Sequence, residues 1–375
     1  MLVVAQIVEY MYVLTEVHGN QNIRNSNMDN FLKLNHIPTA GIDALAKDGC
    51  MDGTRVKVLE GLRSCSRDPD ASRVYWLVGP AGAGKSAIAR SFARFLRAGN
   101  LLGGSSFCHR PTASRADARR ILPTLANFLA RRDSEYCSAL EGALEDPQLL
   151  DIGASTVDLQ FEKLLVNLLG RSSGNHQGGR LILVIDALDE CGNAVEVDRL
   201  LTKLLGVSSV LPLKFFITSR PERHIRDKFE ARTSGVDQRR IIRLHEIEHN
   251  IVADDIALYL RQQLNAICKE ILDVNKTIPA GWSSEQQIDI LARQAGTLFI
   301  YAATAAKYIK NEDPAKRLQN LVDSTSVAGK TLTSGIDEMY EFILSDAMDH
   351  EERDADEISL TKRILAAVIA ANDPF

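Results

Sequence analysis

Short apolar runs alternate with helical patterns along the first two thirds of the chain. Helical spacing is clearest at Ile88, Phe92 and Leu96, which fall on one face of a helix that ends before Gly99. Four largely apolar runs predict buried strands at residues 74–78, 181–185, 214–218 and 241–244, and residues 105–109 are a further short strand candidate. Strands separated by helices predict an α/β fold, a three-layer sandwich around a parallel sheet with right-handed crossovers.

The strand signal ends near residue 249, and only helical patterns follow. They cover residues 251–271, 285–310, 336–348 and 358–371. In the second of these, small and apolar side chains share one face that we expect to dock on the sheet domain: Ile288, Leu291, Ala292, Ala295, Phe299, Ala302 and Ala303. The patterns therefore predict a sheet domain over residues 51–248 and a helical domain over 249–325. Polar residues and Asn-rich turn signals before them predict a loose leader over 1–50.

The composition is that of a globular protein rather than a fibrous, disordered or disulfide-rich one. Of 375 residues, 45% are hydrophobic and 25% are charged. The 44 basic residues are outnumbered by 49 acidic ones, which leaves a net charge of −5. An acidic chain has no overall attraction for phosphate backbones or anionic lipid, so neither nucleic acid nor a membrane is an expected partner.

Cysteine usage and the N-terminal segment predict a cytoplasmic location. The six cysteines are widely spaced and no C-x-x-C motif occurs, which indicates free thiols in a reducing compartment and no zinc site. The apolar stretch over residues 1–17 carries Glu9 and Glu16 and lacks a basic region. We therefore expect neither a signal peptide nor a membrane anchor there.

A phosphate-binding pattern follows the first predicted strand. The segment Gly79-Pro80-Ala81-Gly82-Ala83-Gly84-Lys85-Ser86 fits G-x-x-x-x-G-K-[ST], and Ala87 extends the predicted site into the next helix. Glycines allow successive backbone N–H groups to curl around a phosphate, and the N-terminus of the helix adds unpaired N–H groups. Lys85 is predicted to reach the β- and γ-phosphates, and the Ser86 hydroxyl to bind Mg²⁺.

An aspartate ends the third predicted strand. Asp186 there is suited to hold Mg²⁺ as the second half of a phosphoryl-transfer site. The small Ala187 leaves room beside the metal, and Asp189 and Glu190 supply carboxylates to orient or deprotonate a water. The alternative is that these two acids only cap the following helix.

An arginine follows the fourth predicted strand. Arg220 lies just beyond that strand, at the carboxyl edge where open α/β sheets bind their ligands. A guanidinium at this edge can contact a γ-phosphate through two hydrogen bonds. The alternative is a surface arginine that pairs with Glu222.

Together these segments resemble the NACHT group of signal-transducing (STAND) P-loop ATPases, especially the nephrocystin-type proteins of fungi. The resemblance spans roughly residues 50–372. It is carried by the phosphate loop with its strand and by four further segments: Cys50-Met51-Asp52-Gly53-Thr54-Arg55, Ile185-Asp186-Ala187-Leu188-Asp189-Glu190-Cys191, Phe216-Ile217-Thr218-Ser219-Arg220-Pro221-Glu222 and Leu298-Phe299-Ile300-Tyr301-Ala302-Ala303-Thr304.

The resemblance implies more than the patterns alone. It implies a five-stranded sheet in the order 5-1-4-3-2, with the strand before Arg220 between the other two motif-bearing strands. It implies that Thr54 and Arg55 line the nucleotide base, and that residues 326–375 begin a truncated winged-helix-like region. It also implies a switch that forms homo-oligomers or contacts an effector protein in fungal non-self recognition and regulated cell death.

Two functions are the main hypotheses for these residues, and the acidic net charge argues against a third, an AAA-like motor that acts on nucleic acid. The first is a switch that binds ATP or GTP with Mg²⁺, hydrolyses it slowly and couples the nucleotide state to assembly. The second is a nucleotide-binding signalling scaffold without significant turnover. The choice between ATP and GTP stays open because a phosphate loop contacts no base.

Overall fold

The computed structural model describes most of the sheet domain and of the helical part. The described residues are 34–42, 49–146, 149, 151–169, 180–207, 211–231, 239–247, 249–273, 282–311, 313–324, 334–348, 359–360, 363–364 and 366–367. Residues 1–33 of the predicted leader and most of the predicted winged-helix-like segment, including most of the helix expected at 358–371, lie outside this set.

Five parallel strands form a single sheet. They are β1 (Val74–Val78), β2 (Leu102–Phe107), β3 (Leu181–Asp186), β4 (Leu213–Ser219) and β5 (Arg239–Arg243). Their order is β2-β3-β4-β1-β5, and every neighbouring pair is parallel. This confirms the predicted order 5-1-4-3-2 and the place of β4 between β1 and β3.

Helices cover both faces of the sheet. The sheet domain contains α1 (Val56–Arg67), α2 (Lys85–Ala98), α3 (Ile121–Arg132), α4 (Ser134–Leu144), α5 (Val157–Gln160, continued by a π-helical stretch Phe161–Val166), α6 (Ala194–Val207) and α7 (Arg223–Glu230). Along β1, Val74, Trp76 and Val78 belong to one core, whereas Tyr75 and Leu77 belong to the other. A strand buried on both faces has no polar alternation, which is why the sequence showed unbroken apolar runs.

The second strand begins earlier than its sequence predicts. β2 starts at Leu102 rather than at residue 105, because Gly103 and Gly104 belong to the strand. A Cβ at Gly104 would lie 2.8 Å from Cβ of Phe128 on α3, closer than real Cβ atoms come. The two glycines therefore let α3 lie close to the sheet, although in sequence they resemble a loop.

Among the described residues that follow the sheet, five helices have defined bounds. They are α8 (His249–Asp273), α9 (Glu285–Ala295), α10 (Phe299–Lys310), α11 (Pro314–Asp323) and α12 (Ser334–Met348). Along α8, Val252, Ile256, Leu260 and Leu264 recur at helical spacing and are buried in a core separate from the two sheet cores. The helical character predicted after residue 249 is confirmed for the described residues. None of the described helices is both long enough and apolar enough to cross a membrane.

The single helix predicted over residues 285–310 is wrong. α9 ends at Ala295 and α10 begins at Phe299, with Gly296 between them at φ +56°. Glycine adopts this left-handed backbone without a Cβ penalty, so it ends α9 and allows the chain to turn. The helical periodicity continued through the turn, and it therefore concealed the break.

Part of the predicted loose leader packs on the sheet domain. Leu34, Ile37 and Ile42 are buried. The Ile37 N–H donates to Oγ1 of Thr124 (3.0 Å), and the Ile42 N–H donates to Oγ of Ser105 (2.9 Å). The expectation of a loose segment is therefore wrong for residues 34–42, where a few apolar side chains outweigh the polar composition.

Candidate functional site

The phosphate loop lies between β1 and α2, as its motif requires. Gly82 and Gly84 have φ values of +73° and +87°, which favour glycine. No side chain caps the N-terminus of α2, so its first backbone N–H groups remain available to an anion. The loop therefore has the local geometry of a phosphate-binding turn.

Lys85 is held against the loop by its own backbone. Its Nζ donates to the carbonyl oxygens of Gly79 (2.8 Å) and Pro80 (2.9 Å). Burial lowers the pKa of Lys85, and the nearby Asp189 carboxylate opposes that effect. The two carbonyl contacts position the ammonium group beside the loop, where a phosphate anion would compensate its burial.

Ser86 and Asp186 meet at the carboxyl edge of the sheet. Asp186, the last residue of β3, accepts a hydrogen bond from Oγ1 of Thr218 (2.6 Å) at Oδ1, and the Ser86 side chain also hydrogen-bonds its carboxylate. Burial raises the pKa of Asp186 in spite of these bonds. A hydroxyl and a buried carboxylate in contact are the hard oxygen ligands that Mg²⁺ prefers, so this pair fits the predicted metal.

Ala187 turns the chain directly after Asp186. Its backbone is left-handed (φ +55°, ψ +48°), and its N–H donates to Oγ1 of Thr218 (3.0 Å). The turn leads into a short 3₁₀ segment, Leu188–Glu190. A left-handed conformation costs a non-glycine residue about 1–2 kcal/mol, which favours a small side chain at this position.

Asp189 pairs with Arg220. Oδ1 of Asp189 accepts the Arg220 N–H (2.9 Å), and Oδ2 lies 3.2 Å from Nε of Arg220. The predicted alternative, a pair of Arg220 with Glu222, is therefore not the pair that the structure shows. The helix-cap alternative for Asp189 and Glu190 is wrong too, because Oδ1 of Asn193 accepts the N–H groups at the start of α6 (3.1 and 3.3 Å).

Glu190 is joined to Arg110, an arginine that was not among the predicted site residues. Oε2 of Glu190 accepts the Arg110 backbone N–H (3.0 Å), and Nη2 of Arg110 donates to the Asp189 carbonyl (3.1 Å). Arg110 follows β2, so it lies at the same carboxyl edge as Asp186 and Arg220. Its position after a strand was the signal that could have identified it.

Arg55 lies against the phosphate loop, although it is far from the loop in sequence. Its Nη2 donates to the Ala83 carbonyl (2.9 Å), and its buried guanidinium stacks 4.7 Å from the ring centroid of Phe299. Burial lowers the pKa of Arg55. Its neighbour Thr54 is also buried, but the Thr54 hydroxyl donates to the Met51 carbonyl within the local turn (2.7 Å).

The helical part contacts the phosphate loop directly. The Ile300 N–H in the first turn of α10 donates to the Gly82 carbonyl (3.1 Å). A Cβ at Gly82 would lie 2.2 Å from Cγ2 of Ile300. On α8, Oδ2 of Asp255 accepts the Arg55 backbone N–H (3.0 Å). The docking face predicted over residues 285–310 did not include Ile300, which contacts the loop, and the contact of Asp255 with Arg55 was not predicted.

The sheet order together with the loop between β1 and α2 defines a P-loop NTPase fold. Consistent with this class, the family model described as nephrocystin 3, N-terminal, matches residues 54–220. A comparison with curated proteins found no match.

Several solved structures are similar to this chain. A Walker-type ATPase of Pyrococcus abyssi shares 14% identity, with 74% of each chain covered and a TM-score of 0.45. Domain III of the replication initiation protein DnaA from Thermotoga maritima shares 10% identity, covering 82% of this chain and 98% of that one, with a TM-score of 0.36. The Drosophila ORC bound to DNA shares 14% identity, covering 84% and 67%, with a TM-score of 0.35.

Proposed function

We propose that this chain binds a nucleoside triphosphate with Mg²⁺ at the phosphate loop and acts as a nucleotide-dependent switch. The observation that carries the proposal is the hydrogen bond between the Ile300 N–H and the Gly82 carbonyl. It joins a separately packed helical core to the loop that would hold the phosphates. A ligand that shifts the loop must then also change the contact with the helical part.

The side chains at the carboxyl edge have complementary roles in this proposal. Lys85 supplies positive charge to the β- and γ-phosphates, and Ser86 and Asp186 hold the Mg²⁺. The metal, when bound, neutralises charge on phosphate oxygens. Asp189 and Glu190 orient a water, and Arg220 contacts the γ-phosphate. Residues 79–87 surround the phosphates, while Thr54 and Arg55 lie toward the base of ATP or GTP.

The biological role follows from the resemblance to NACHT proteins of the STAND class. We propose that the nucleotide state controls homo-oligomerisation or contact with an effector protein, in the cytoplasm of a fungus, during non-self recognition or regulated cell death. The net charge of −5 supports a protein partner rather than nucleic acid. On this proposal, residues 326–375 begin a winged-helix-like region.

The test is nucleotide binding by the full chain with and without Mg²⁺. Lys85→Ala should lose most of the affinity in both conditions, because it removes the mobile cation beside the loop. Ser86→Ala should lose affinity only when Mg²⁺ is present. Titration calorimetry measures both variants, with Ser91→Ala in the same helix as a control for the loss of a hydroxyl. Equal losses for Ser86→Ala in both conditions would remove Ser86 as a metal ligand.

The scaffold without turnover remains a second candidate because of two observed contacts. Asp189 is paired with Arg220, and Glu190 accepts a hydrogen bond from the Arg110 N–H, so both carboxylates are engaged. The double substitution Asp189→Asn and Glu190→Gln discriminates the candidates. A switch that hydrolyses nucleotide should lose phosphate release, whereas a scaffold should show the same absence of release in both proteins and the same nucleotide affinity.

A further inference from the structure

Two cysteines from distant parts of the chain meet beside the acidic carboxylates. Sγ of Cys191 lies 3.5 Å from Sγ of Cys108, although 83 positions separate them. Cys108 follows β2 and is 5% exposed, whereas Cys191 follows Glu190 and is partly exposed. The fold, and no local sequence pattern, creates this pair.

The pair is distinct from the other cysteines. All six thiols are free, but Cys137 contacts Oε1 of Glu141 and Cys65 contacts Nη1 of Arg240 (3.5 Å each). Within the described residues, no group of three or more His, Cys, Asp or Glu side chains is arranged to hold a metal ion. Two adjacent thiols can be joined in a disulfide by an oxidant.

We propose that Cys108 and Cys191 form a reversible disulfide when a peroxide reaches Cys191. A disulfide bond is about 2.05 Å long, so the two sulfurs must approach by roughly 1.5 Å. Both cysteines lie in short connections after a strand or a 3₁₀ segment. The Cys108 N–H is bonded to β3, so the approach requires a shift of Cys191. Partial exposure makes Cys191 the first target, and the buried Cys108 completes the bond.

The reaction balances with hydrogen peroxide as the oxidant. The Cys191 sulfur attacks one peroxide oxygen, the O–O bond breaks, and a sulfenic acid and one water form. The Cys108 sulfur then attacks the Cys191 sulfur, the S–O bond breaks, and the hydroxyl leaves as water with the Cys108 proton. Two thiols lose two electrons in total, and one peroxide is reduced to two waters. A dithiol reductant reverses the reaction.

The bond would act on the carboxyl edge of the sheet. The Cys108 N–H donates to the Asp186 carbonyl (3.0 Å), and the Gly192 N–H donates to the Ala116 carbonyl (2.9 Å). These contacts anchor the chain on either side of the thiol pair, so a shift of Cys191 toward Cys108 displaces Glu190 relative to Asp186. Any effect of oxidation on nucleotide chemistry rests on the proposed function, whereas formation of the disulfide does not.

The first experiment asks whether the disulfide forms. The reduced full chain is treated with increasing hydrogen peroxide, free thiols are alkylated, and the peptides are mapped by mass spectrometry without reduction. We expect a linked Cys108–Cys191 peptide at peroxide concentrations at least tenfold below those that oxidise Cys268, and its disappearance with dithiothreitol. Cys191→Ser should abolish the linked peptide, and the control Cys268→Ser should leave it unchanged.

Two results would overturn the disulfide itself. One is alkylation of Cys108 and Cys191 to the same extent as Cys268 after oxidation. The other is progression of Cys191 to a sulfinic acid without a linked peptide. Cys108→Ala, which keeps an apolar side chain at this buried position, should also abolish the linked peptide, and thermal denaturation checks its fold.

The second experiment measures the consequence for the site. Mg²⁺-dependent nucleotide affinity and phosphate release are compared for the reduced, oxidised and re-reduced protein. We expect oxidation to lower at least one of them at least threefold in the wild-type protein, reversibly, and to leave Cys191→Ser unaffected. If the linked peptide forms but neither nucleotide affinity nor phosphate release changes, the regulatory effect is rejected and the disulfide itself is confirmed. Absence of nucleotide binding in the reduced protein would instead reject the proposed function.

Discussion

At the scale of single residues, the site combines buried charges that the folded protein compensates only in part. Lys85, Arg55 and Asp186 are all buried. Burial favours the neutral form of each group, so it lowers the pKa of Lys85 and Arg55 and raises the pKa of Asp186. Such groups cost stability unless partners compensate them. Their hydrogen-bond and ring contacts are to backbone carbonyls, hydroxyls and one aromatic ring, and charged neighbours such as Asp189 beside Lys85 oppose the effect of burial.

Asp186→Asn should stabilise the protein in the absence of nucleotide. Burial raises the pKa of Asp186 above its ordinary value of 3.8, so the ionised carboxylate is less favourable in the folded state than in the unfolded one. Asparagine keeps an Oδ1 that can accept the Thr218 hydrogen bond and carries no charge. We expect a higher free energy of unfolding at pH 7, and loss of Mg²⁺-dependent nucleotide binding.

The pH dependence provides the control for this substitution. A raised pKa means that the folded state binds the proton more tightly, so the wild-type protein should gain stability as the pH falls through the folded pKa toward 3.8. The variant should lack this contribution. Urea denaturation at pH 7 and pH 5 measures both proteins, and lower stability of the variant at pH 7 would mean that the hydrogen bonds of the carboxylate outweigh its burial.

Arg220→Ala should separate triphosphate from diphosphate. The Arg220 side chain is 46% exposed and that of its partner Asp189 is 4% exposed, so the guanidinium is the member of the pair that can reach a ligand. Triphosphate affinity should fall by about 1.5–3 kcal/mol, the size of a hydrogen bond to a charged group, while diphosphate affinity stays unchanged. Calorimetry measures both affinities. The control is Arg223→Ala, because the Arg223 side chain is 89% exposed. Equal weakening would place Arg220 in a purely structural pair with Asp189.

At the scale of elements, close approaches at glycines determine how the layers meet. Gly104 lets α3 pack on β2, and Gly82 lets the first turn of α10 reach the phosphate loop. Gly296 ends α9 and thereby allows α10 to begin in a new direction. In each case a Cβ would either clash with another element or be strained by the positive φ. The hydrophobic pattern of the segment itself reports neither effect.

Gly104→Ala should destabilise the fold at the contact between β2 and α3. A Cβ there would lie 2.8 Å from Cβ of Phe128, which the helix backbone holds in place, so the layers must separate. We expect a loss of about 1–3 kcal/mol in the free energy of unfolding. The matched control is Gly142→Ala within α4, where nothing lies within 4 Å of the new Cβ. That control should be stabilising by up to about 1 kcal/mol, and thermal or urea denaturation of both variants gives the comparison. Equal stabilities for the two variants would contradict a close-packed layer at Gly104.

At the scale of the whole molecule, the contact between the helical part and the phosphate loop is the feature that makes a switch feasible. Arg55 in the turn before α1 and Ile300 at the start of α10 each contact a loop carbonyl, and Asp255 on α8 contacts the Arg55 backbone.

Triphosphate and diphosphate should therefore give different hydrogen-exchange protection across residues 250–310, in addition to the loop itself. Phe299→Ala removes the ring that stacks on Arg55 and should reduce this difference, and the ratio of the two nucleotide affinities should change by a reciprocal amount. Leu272→Ala, at an exposed position of α8, is the control. Changes confined to residues 79–90, 186–190 and 218–222 would show nucleotide binding without transmission to the helices.

The sequence by itself determined the features that depend on neighbours in the chain. Five buried strands, the glycine loop with Lys85 and Ser86, and the carboxylate of Asp186 at a strand end all follow from local pattern, and the sheet order followed from the resemblance. The packing of segment 34–42 and the helix break at Gly296 were not predicted, because composition and periodicity average over the few residues that determine them. Only the tertiary structure decided which partners these residues take.

The pairing of Asp189 with Arg220, the contact of Gly82 with Ile300 and the approach of Cys108 to Cys191 join positions 31, 218 and 83 apart in the chain. The sheet brings the carboxyl ends of β1, β2, β3 and β4 to one edge, and the packing of α8 and α10 places the helical part there. A local sequence pattern carries no information on these long-range contacts, because the free energy that stabilises them comes from burial across the whole molecule.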